Sequence, residues 1–325
     1  MRVGILGSGT MAEVHAGAWR TTGALLMGCA SANLEQALHL ARQFNIKVYQ
    51  SYTELLRDVD IIDICLPTHL HHRMALQAAA ARRHVVCEGP IALSRQDGLE
   101  MIQACDEAGV RLYVATGRRF FPQYRLSREL LLRGHIGRLD VLRLQRVTTV
   151  SLRSEDEGYF DEARSGGIVV EQMTHDFDYA RWLGGEVVQV QTRPRQGTDG
   201  RGQYVQAILR FKEGPMALLE GGWVFTPGVF RSALDIVGTD GVVEWRSDAG
   251  SSAPRFALKR TGQAAAVELP VSDWSQDPYA LQIQHAYQCI RSGEPFEVTA
   301  QDGLEALRVA LAARESMLTG RPVVL

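Results

Sequence analysis

No stretch of this sequence approaches the ~20 consecutive apolar residues that a membrane-spanning helix needs, and neither charge sign is in excess. Thirty-five Lys and Arg stand against 37 Asp and Glu, a formal net charge of -2. That balance supplies no overall attraction for a phosphate backbone or an anionic lipid surface, so nucleic acid and membrane are poor partners on charge grounds. Cysteine is sparse too: Cys29, Cys65, Cys87, Cys105 and Cys289 are odd in number and widely spaced, without a C-x-x-C pair. Neither a disulfide framework nor a zinc site is indicated, and reduced, buried thiols are expected. Met1-Arg2 leads directly into Val3-Gly4-Ile5-Leu6-Gly7, which leaves no room for the apolar region of a signal peptide. A cytoplasmic location is the resulting expectation.

What is present is a globular composition, 46% apolar over 325 residues, enough for about two domains at ~150 residues each. Up to about residue 116, short apolar runs alternate with helical patterns. Strands are expected at Val3 to Leu6, Leu25 to Ala30, Val48 to Gln50, Ile61 to Leu66, His84 to Cys87 and Arg111 to Ala115. Helices are expected near 11–20, 33–43, 70–81 and 95–108. Strands that are apolar on both faces and alternate with helices imply a parallel sheet covered on both sides. Beyond Gly117 to Pro122 longer strand-like runs take over: Leu139 to Val150, Val187 to Arg193, Tyr204 to Phe211, Met216 to Val224 and Ala233 to Val237. The chain therefore divides into an α/β Rossmann domain, 1–120, and an α+β substrate-binding and oligomerisation domain, 121–325, with a large, mainly antiparallel open sheet. The second face of that sheet needs a cover, and a homodimer or homotetramer would provide one.

Gly7-Ser8-Gly9-Thr10-Met11-Ala12 reads G-x-G-x-x-A between an apolar strand and a helix rich in small residues. Gly7 permits the tight turn, Gly9 lets backbone approach a pyrophosphate, and Ala12 permits close helix-to-strand packing. Thr10 and Met11 open the helix, whose free N–H groups face the phosphates. At the end of the second strand, Cys29-Ala30-Ser31-Ala32-Asn33 carries neither an acidic residue for a ribose 2′-hydroxyl nor an Arg for a 2′-phosphate. Ser31 and Asn33 can serve NAD or NADP. The absence of a cation there leans the choice slightly to NAD.

Three further segments, taken with this loop, resemble the Gfo/Idh/MocA family of sugar and polyol oxidoreductases. They are Leu66-Pro67-Thr68-His69-Leu70-His71, Cys87-Glu88-Gly89-Pro90, and Ser165-Gly166-Gly167 running into Glu171-Gln172-Met173-Thr174-His175-Asp176-Phe177-Asp178. The ending from Asp302-Gly303-Leu304 to Pro322-Val323 is also similar to the family's last helix and terminal strand, so the likeness spans almost the whole chain. The resemblance implies that Leu66, Pro67, Thr68, His71, Glu88 and Gly89 border the nicotinamide and its ribose, with the helix from about 168 facing a small-molecule substrate in an interdomain cleft. Independently, Glu171, His175, Asp178 and Trp182 recur at i, i+4, i+7 and i+11, which places them on one face of a continuous helix. His175 is expected as the base that takes a hydroxyl proton, with Glu171 or Asp178 orienting it; Asp178 is also a candidate substrate ligand. A solvated helix face or a structural ion pair is the plain alternative for that stripe.

One family position departs. Where the resemblance leads one to expect Glu-Lys-Pro, with the Lys touching cofactor and substrate hydroxyl, residue 89 is Gly. Three accounts fit: an active enzyme relying on His175, with the vacated volume admitting a larger substrate or a group such as Arg118 or Tyr279; a dinucleotide-binding protein that has lost turnover and senses a ligand; or an engineered substitution. An enzyme holding NAD tightly and using it transiently, in elimination or glycoside cleavage, is a further alternative. Arg118 and Arg119 can clamp a substrate or form an interdomain salt bridge, and Tyr159, Trp274 and Tyr279 can stack on a sugar or belong to the core. No Cys, Asp or Glu spacing accompanies His69, His71 and His72, so no metal is expected.

Overall fold

The computed structural model describes residues 1–149, 160–196, 203–224, 229–247, 255–262, 267–268 and 276–325, which pack as two compact units. In the first, β1 (Arg2–Leu6), β2 (Leu25–Ala30), β3 (Lys47–Val48), β4 (Ile61–Ile64), β5 (His84–Glu88) and β6 (Leu112–Ala115) form a parallel sheet in the order β3-β2-β1-β4-β5-β6. Every residue of β4 and of β6 is buried, as a sheet with two covered faces requires. Helices α1 (Thr10–Trp19), α2 (Leu34–Phe44), α3 (Tyr52–Asp58), α4 (His71–Ala80) and α5 (Arg95–Ala108) connect the strands. Asn33, Ser51 and Ser94 cap three of them by accepting the N–H of Gln36, Glu54 and Asp97, each cap contributing about 1 kcal/mol. Short α3 carries too brief an apolar pattern to stand out in the sequence; its cap, Ser51, is the local signal.

The second unit begins with α6 (Pro122–Leu132) and β7 (Leu139–Thr149), followed by α7 (Glu162–Ser165), α8 (Gly167–Glu171) and α9 (Thr174–Gly184). Then come β8 (Val187–Gln196), β9 (Gln203–Phe211), β10 (Met216–Val224), β11 (Phe230–Gly238), β12 (Gly241–Arg246), β13 (Arg255–Arg260) and β14 (Val267–Glu268). The chain closes with α10 (Pro278–Ser292), α11 (Ala300–Thr319) and β15 (Val323–Val324). The described strands order as β14-β13-β12-β11-β7-β10-β9-β8-β15. All neighbours are antiparallel except β7 and β10. Strand β9 shows why one face is core: Val205, Ala207, Leu209 and Phe211 are buried, whereas Gln206, Ile208 and Arg210 between them are exposed. On that open face Leu218 pairs with Ile208 and Met216 with Arg210, and Ile208, Met216 and Leu218 are 41%, 39% and 37% exposed.

Residues 276–307 pack with the first unit, so the expected second domain, 121–325, is interrupted. The physical reason is α10, whose Ala280, Ile283, Ala286, Tyr287 and Ile290 join Trp19, Tyr113 and Phe120 in one buried cluster. Among the described residues no helix is long and apolar enough to cross a membrane.

Candidate active site

The loop after β1 shows what each glycine is for. Gly7 has φ +126°, and a side-chain carbon there would lie 2.2 Å from the Cys65 carbonyl oxygen, so both strain and contact exclude any other residue. Gly9 differs: a carbon added to it would meet nothing within 4 Å, leaving open space over the start of α1. Gly9 also serves as N-cap without any side-chain hydrogen bond, so the first-turn N–H groups of Thr10, Met11 and Ala12 are offered outward. Ala12 is fully buried against the sheet. An open cradle at an uncapped helix N-terminus fits a dinucleotide's pyrophosphate.

Ser31 stands beside this cradle at the end of β2. The Ser8 hydroxyl donates to Ser31 Oγ at 2.7 Å, as does the Asn33 N–H at 3.1 Å, leaving the Ser31 proton free to be donated elsewhere. Asn33, the other ribose candidate, is occupied as the cap of α2.

On the other side of β1, His71 is 1% exposed and its ring lies between two carbonyls. Its Nδ1 is 2.9 Å from Pro90 O and its Nε2 2.7 Å from Leu66 O. Burial lowers its pKa, against the two carbonyls that favour protonation. With both nitrogens turned to main chain, His71 staples the loops after β4 and β5 together; it is a support for Leu66, Pro67 and Thr68 rather than a free ligand. The neighbouring His72 does meet acids, its Nε2 lying 2.8 Å from Glu100 and its Nδ1 3.9 Å from Asp97. The two nitrogens face different carboxylates, so the ring bridges them.

Beneath these loops lies a cluster that sequence reasoning missed. His15, on α1 and fully buried, places Nδ1 2.9 Å from Asp63 and Nε2 2.5 Å from Glu88. The Nε2 contact is close without being aligned as a hydrogen bond. Trp19 Nε1 donates to Asp63 at 2.6 Å. Burial disfavours the imidazolium, but Asp63, with Cys65 and Glu88, more than offsets this and holds the His15 pKa well above its ordinary value. The available signal was Asp63 itself, a charge inside the otherwise apolar strand Ile61–Ile64.

In the second unit, Gly166, between α7 and α8, and Gly167, which opens α8, adopt φ +79° and +73°. A side-chain carbon at Gly166 would lie 2.7 Å from Val170. The expected continuous helix breaks at Gln172 and Met173, whose N–H groups both reach Ile168 O at 3.0 Å, a widening of the kind found at π-bulges. Its cause is tertiary. Met173 lies over Gly221, where a side-chain carbon would come within 2.8 Å, and Gln172 Oε1 accepts from Trp223 Nε1 at 3.0 Å while its Nε2 donates to Arg146 O at 3.1 Å. Arg146 in turn pairs with Asp176 at 3.0 Å and donates to the Gln172 carbonyl. Glu171 therefore ends α8 and His175 sits in the first turn of α9, both half-buried, and the single-face stripe is carried by two helices. Asp178 is fully buried, and Trp182 is covered by the Arg128 guanidinium, 4.2 Å from its ring centroid.

These features together, a Rossmann sheet with a dinucleotide cradle and a mixed sheet accompanied by helices that carry Glu171 and His175, have a family counterpart. Residues 1–116 match the family model for the oxidoreductase family's NAD-binding Rossmann fold, and residues 128–325 match that for its C-terminal alpha/beta domain. The chain belongs to the Gfo/Idh/MocA family. It is an NAD(P)-dependent oxidoreductase. Among relatives, it is similar to the myo-inositol 2-dehydrogenase of Thermotoga maritima, 27% identical over 100% of this chain and 98% of the relative. It is also similar to the 1,5-anhydro-D-fructose reductase of Ensifer adhaerens, 26% identical over 98% and 97%. Among solved structures, GenD2 from gentamicin A biosynthesis, in complex with NAD, superposes with a TM-score of 0.86 at 23% identity, covering 100% of this chain and 96% of that one.

Within a Gfo/Idh/MocA member, the remaining expected site residues fall as follows. Arg118 is buried in the 3-10 turn Gly117–Phe120, and Tyr279 is half-buried in the first turn of α10. Arg119, open to a substrate or interdomain role in the sequence, pairs with Asp302 at 3.2 Å and donates to Glu297 O at 3.2 Å, all within the first unit. Tyr159 and Trp274 lie outside the described residues.

Proposed function

We propose that this oxidoreductase interconverts a secondary alcohol and a ketone on a sugar, inositol or related cyclic polyol, with His175 accepting the substrate hydroxyl proton. The observation that carries the reading is that the chain holds both an open dinucleotide cradle at Gly9 in its first unit and, in its second, a half-buried His175 at a fixed helix break. Relatives named for inositol and anhydrofructose substrates support the substrate class.

When bound, the nicotinamide cofactor supplies the hydride chemistry. The chain supplies the rest. Gly7, Gly9, Thr10, Met11 and Ala12 hold the pyrophosphate, and Ser31 donates to the adenosine ribose. With no cation among residues 29 to 36 to neutralise a 2′-phosphate, NAD is the preferred form. Leu66, Pro67, Thr68 and Glu88 border the nicotinamide end, braced by His71. Glu171 or Asp178 orients His175; fully buried Asp178 suits that role better than substrate contact. Arg118 and Tyr279 are assigned to the substrate. A homodimer or homotetramer covers the open face of the second sheet.

Gly89 removes the lysine that the family carries. Proton transfer then rests on His175, and the loss of one positioned group costs ~10² to 10⁴ in rate, which an enzyme of ordinary acceleration survives. The test is His175→Ala, expected to abolish turnover while nucleotide affinity stays the same; loss of nucleotide binding instead would remove His175 from this role.

A further inference from the structure

Glu88 closes β5, and its carboxylate is tied to a buried charge cluster rather than to a lysine. One imidazole, His15, lies between two carboxylates, 2.9 Å from Asp63 and 2.5 Å from Glu88. With His15 protonated the cluster still carries one net negative charge. Asp63 is sealed inside, bonded by Trp19 Nε1 at 2.6 Å and facing the Cys65 thiol at 3.6 Å. Glu88 keeps 13% of its side chain exposed, so the surplus charge reaches the surface there. His15 is the one cationic group that touches Glu88 among the described residues, and Gly89 adds no side chain.

The position of Glu88 gives that charge a consequence, resting on the dinucleotide reading above. In a sheet ordered β3-β2-β1-β4-β5-β6, a dinucleotide lies across the carboxyl ends of the strands where the order reverses, between β1 and β4. The α1 N-terminus marks the pyrophosphate, and Ser31 on β2 marks the adenosine half. The other half extends toward the ends of β4 and β5, where Glu88 stands.

We infer that Glu88, held in place by His15, makes the site discriminate between the two oxidation states of the nicotinamide, raising affinity for the cationic oxidised ring relative to the neutral reduced one. A unit charge several ångströms away in a partly buried site shifts a binding ratio on the order of tenfold. Tenfold preferential binding of the oxidised form lowers the midpoint potential of the bound two-electron couple by about 30 mV. The site is thereby biased toward ketone reduction.

The experiment is calorimetric titration of the full-length protein with NAD+ and separately with NADH, for the native chain, Glu88→Gln and Gly89→Lys. Glu88→Gln is expected to weaken NAD+ about tenfold while moving NADH less than about twofold. Gly89→Lys, which alters no buried group, is expected to move the ratio in the same direction. An equal change for both nucleotides, or an unchanged ratio in both variants, overturns the inference while leaving the dinucleotide reading intact. A native protein that binds neither nucleotide overturns both.

Discussion

The guanidinium of Arg146 lies 3.0 Å from Oδ2 of Asp176, and through that ion pair β7 grips the helix that carries His175. Both partners are largely buried, their side chains 18% and 6% exposed. Arg146→Ala removes a charge partner of a buried carboxylate and is expected to destabilise the protein by about 3 kcal/mol, read from urea unfolding. Asp176→Asn, which keeps a hydrogen-bonding group, should cost about 1 to 2 kcal/mol. Nucleotide affinity, a property of the first unit, should not change in either.

The two loop glycines should respond oppositely. Gly7→Ala forces a carbon to 2.2 Å from the Cys65 carbonyl at φ +126°, so loss of stability by several kcal/mol is expected, on the order of 3 or more. Gly9→Ala meets nothing within 4 Å and should leave stability within about 0.5 kcal/mol while weakening NAD. Thermal unfolding and nucleotide titration on the same two variants check this; equal stability loss in both would contradict the cradle.

The contrast between these glycines also marks what the sequence reveals. The G-x-G-x-x-A pattern identifies the loop, strand Leu25–Ala30 is legible as a short apolar run that ends buried, and Met216–Val224 as a longer run whose first half alternates exposed and buried. The helix Pro278–Ser292 is not among the elements expected from the sequence, and nothing local says which sheet it covers; packing against Trp19 and Tyr113 decides that. The break at Gln172 and Met173 has no proline or glycine to announce it, because Gly221, Trp223 and Arg146, far along the chain, create it. His15 was invisible for the same reason: only the fold brings Asp63 and Glu88 to its two nitrogens.

His15 predicts a pH dependence of stability. Its folded pKa is raised above the unfolded value near 6.5, Asp63, Cys65 and Glu88 overcoming the effect of burial. The folded state therefore binds the proton more tightly, and stability falls as pH rises between the two pKa values. The contribution is complete below about pH 6.5 and is lost as pH climbs through the folded pKa. Unfolding free energies from neutral to alkaline pH should show this decline in the native chain and a flatter profile in His15→Gln.

Exposed Ile208 and Leu218 face each other on the open side of the second sheet. If a second copy covers them, Leu218→Glu should convert a dimer or tetramer to smaller species in sedimentation velocity. A native protein that sediments as a monomer would contradict the proposed assembly.

The most direct measurement follows the near-ultraviolet absorbance of reduced nicotinamide, with NAD and NADP against a panel of sugars, inositols and cyclic diols, for the native chain, His175→Ala and Gly89→Lys. Turnover by the native chain on a polyol, lost in His175→Ala with nucleotide affinity unchanged, is the expected result and places the proton transfer on His175 without a lysine at 89. Native-level turnover in His175→Ala, or nucleotide binding without turnover in the native chain, whether or not Gly89→Lys restores it, would contradict it.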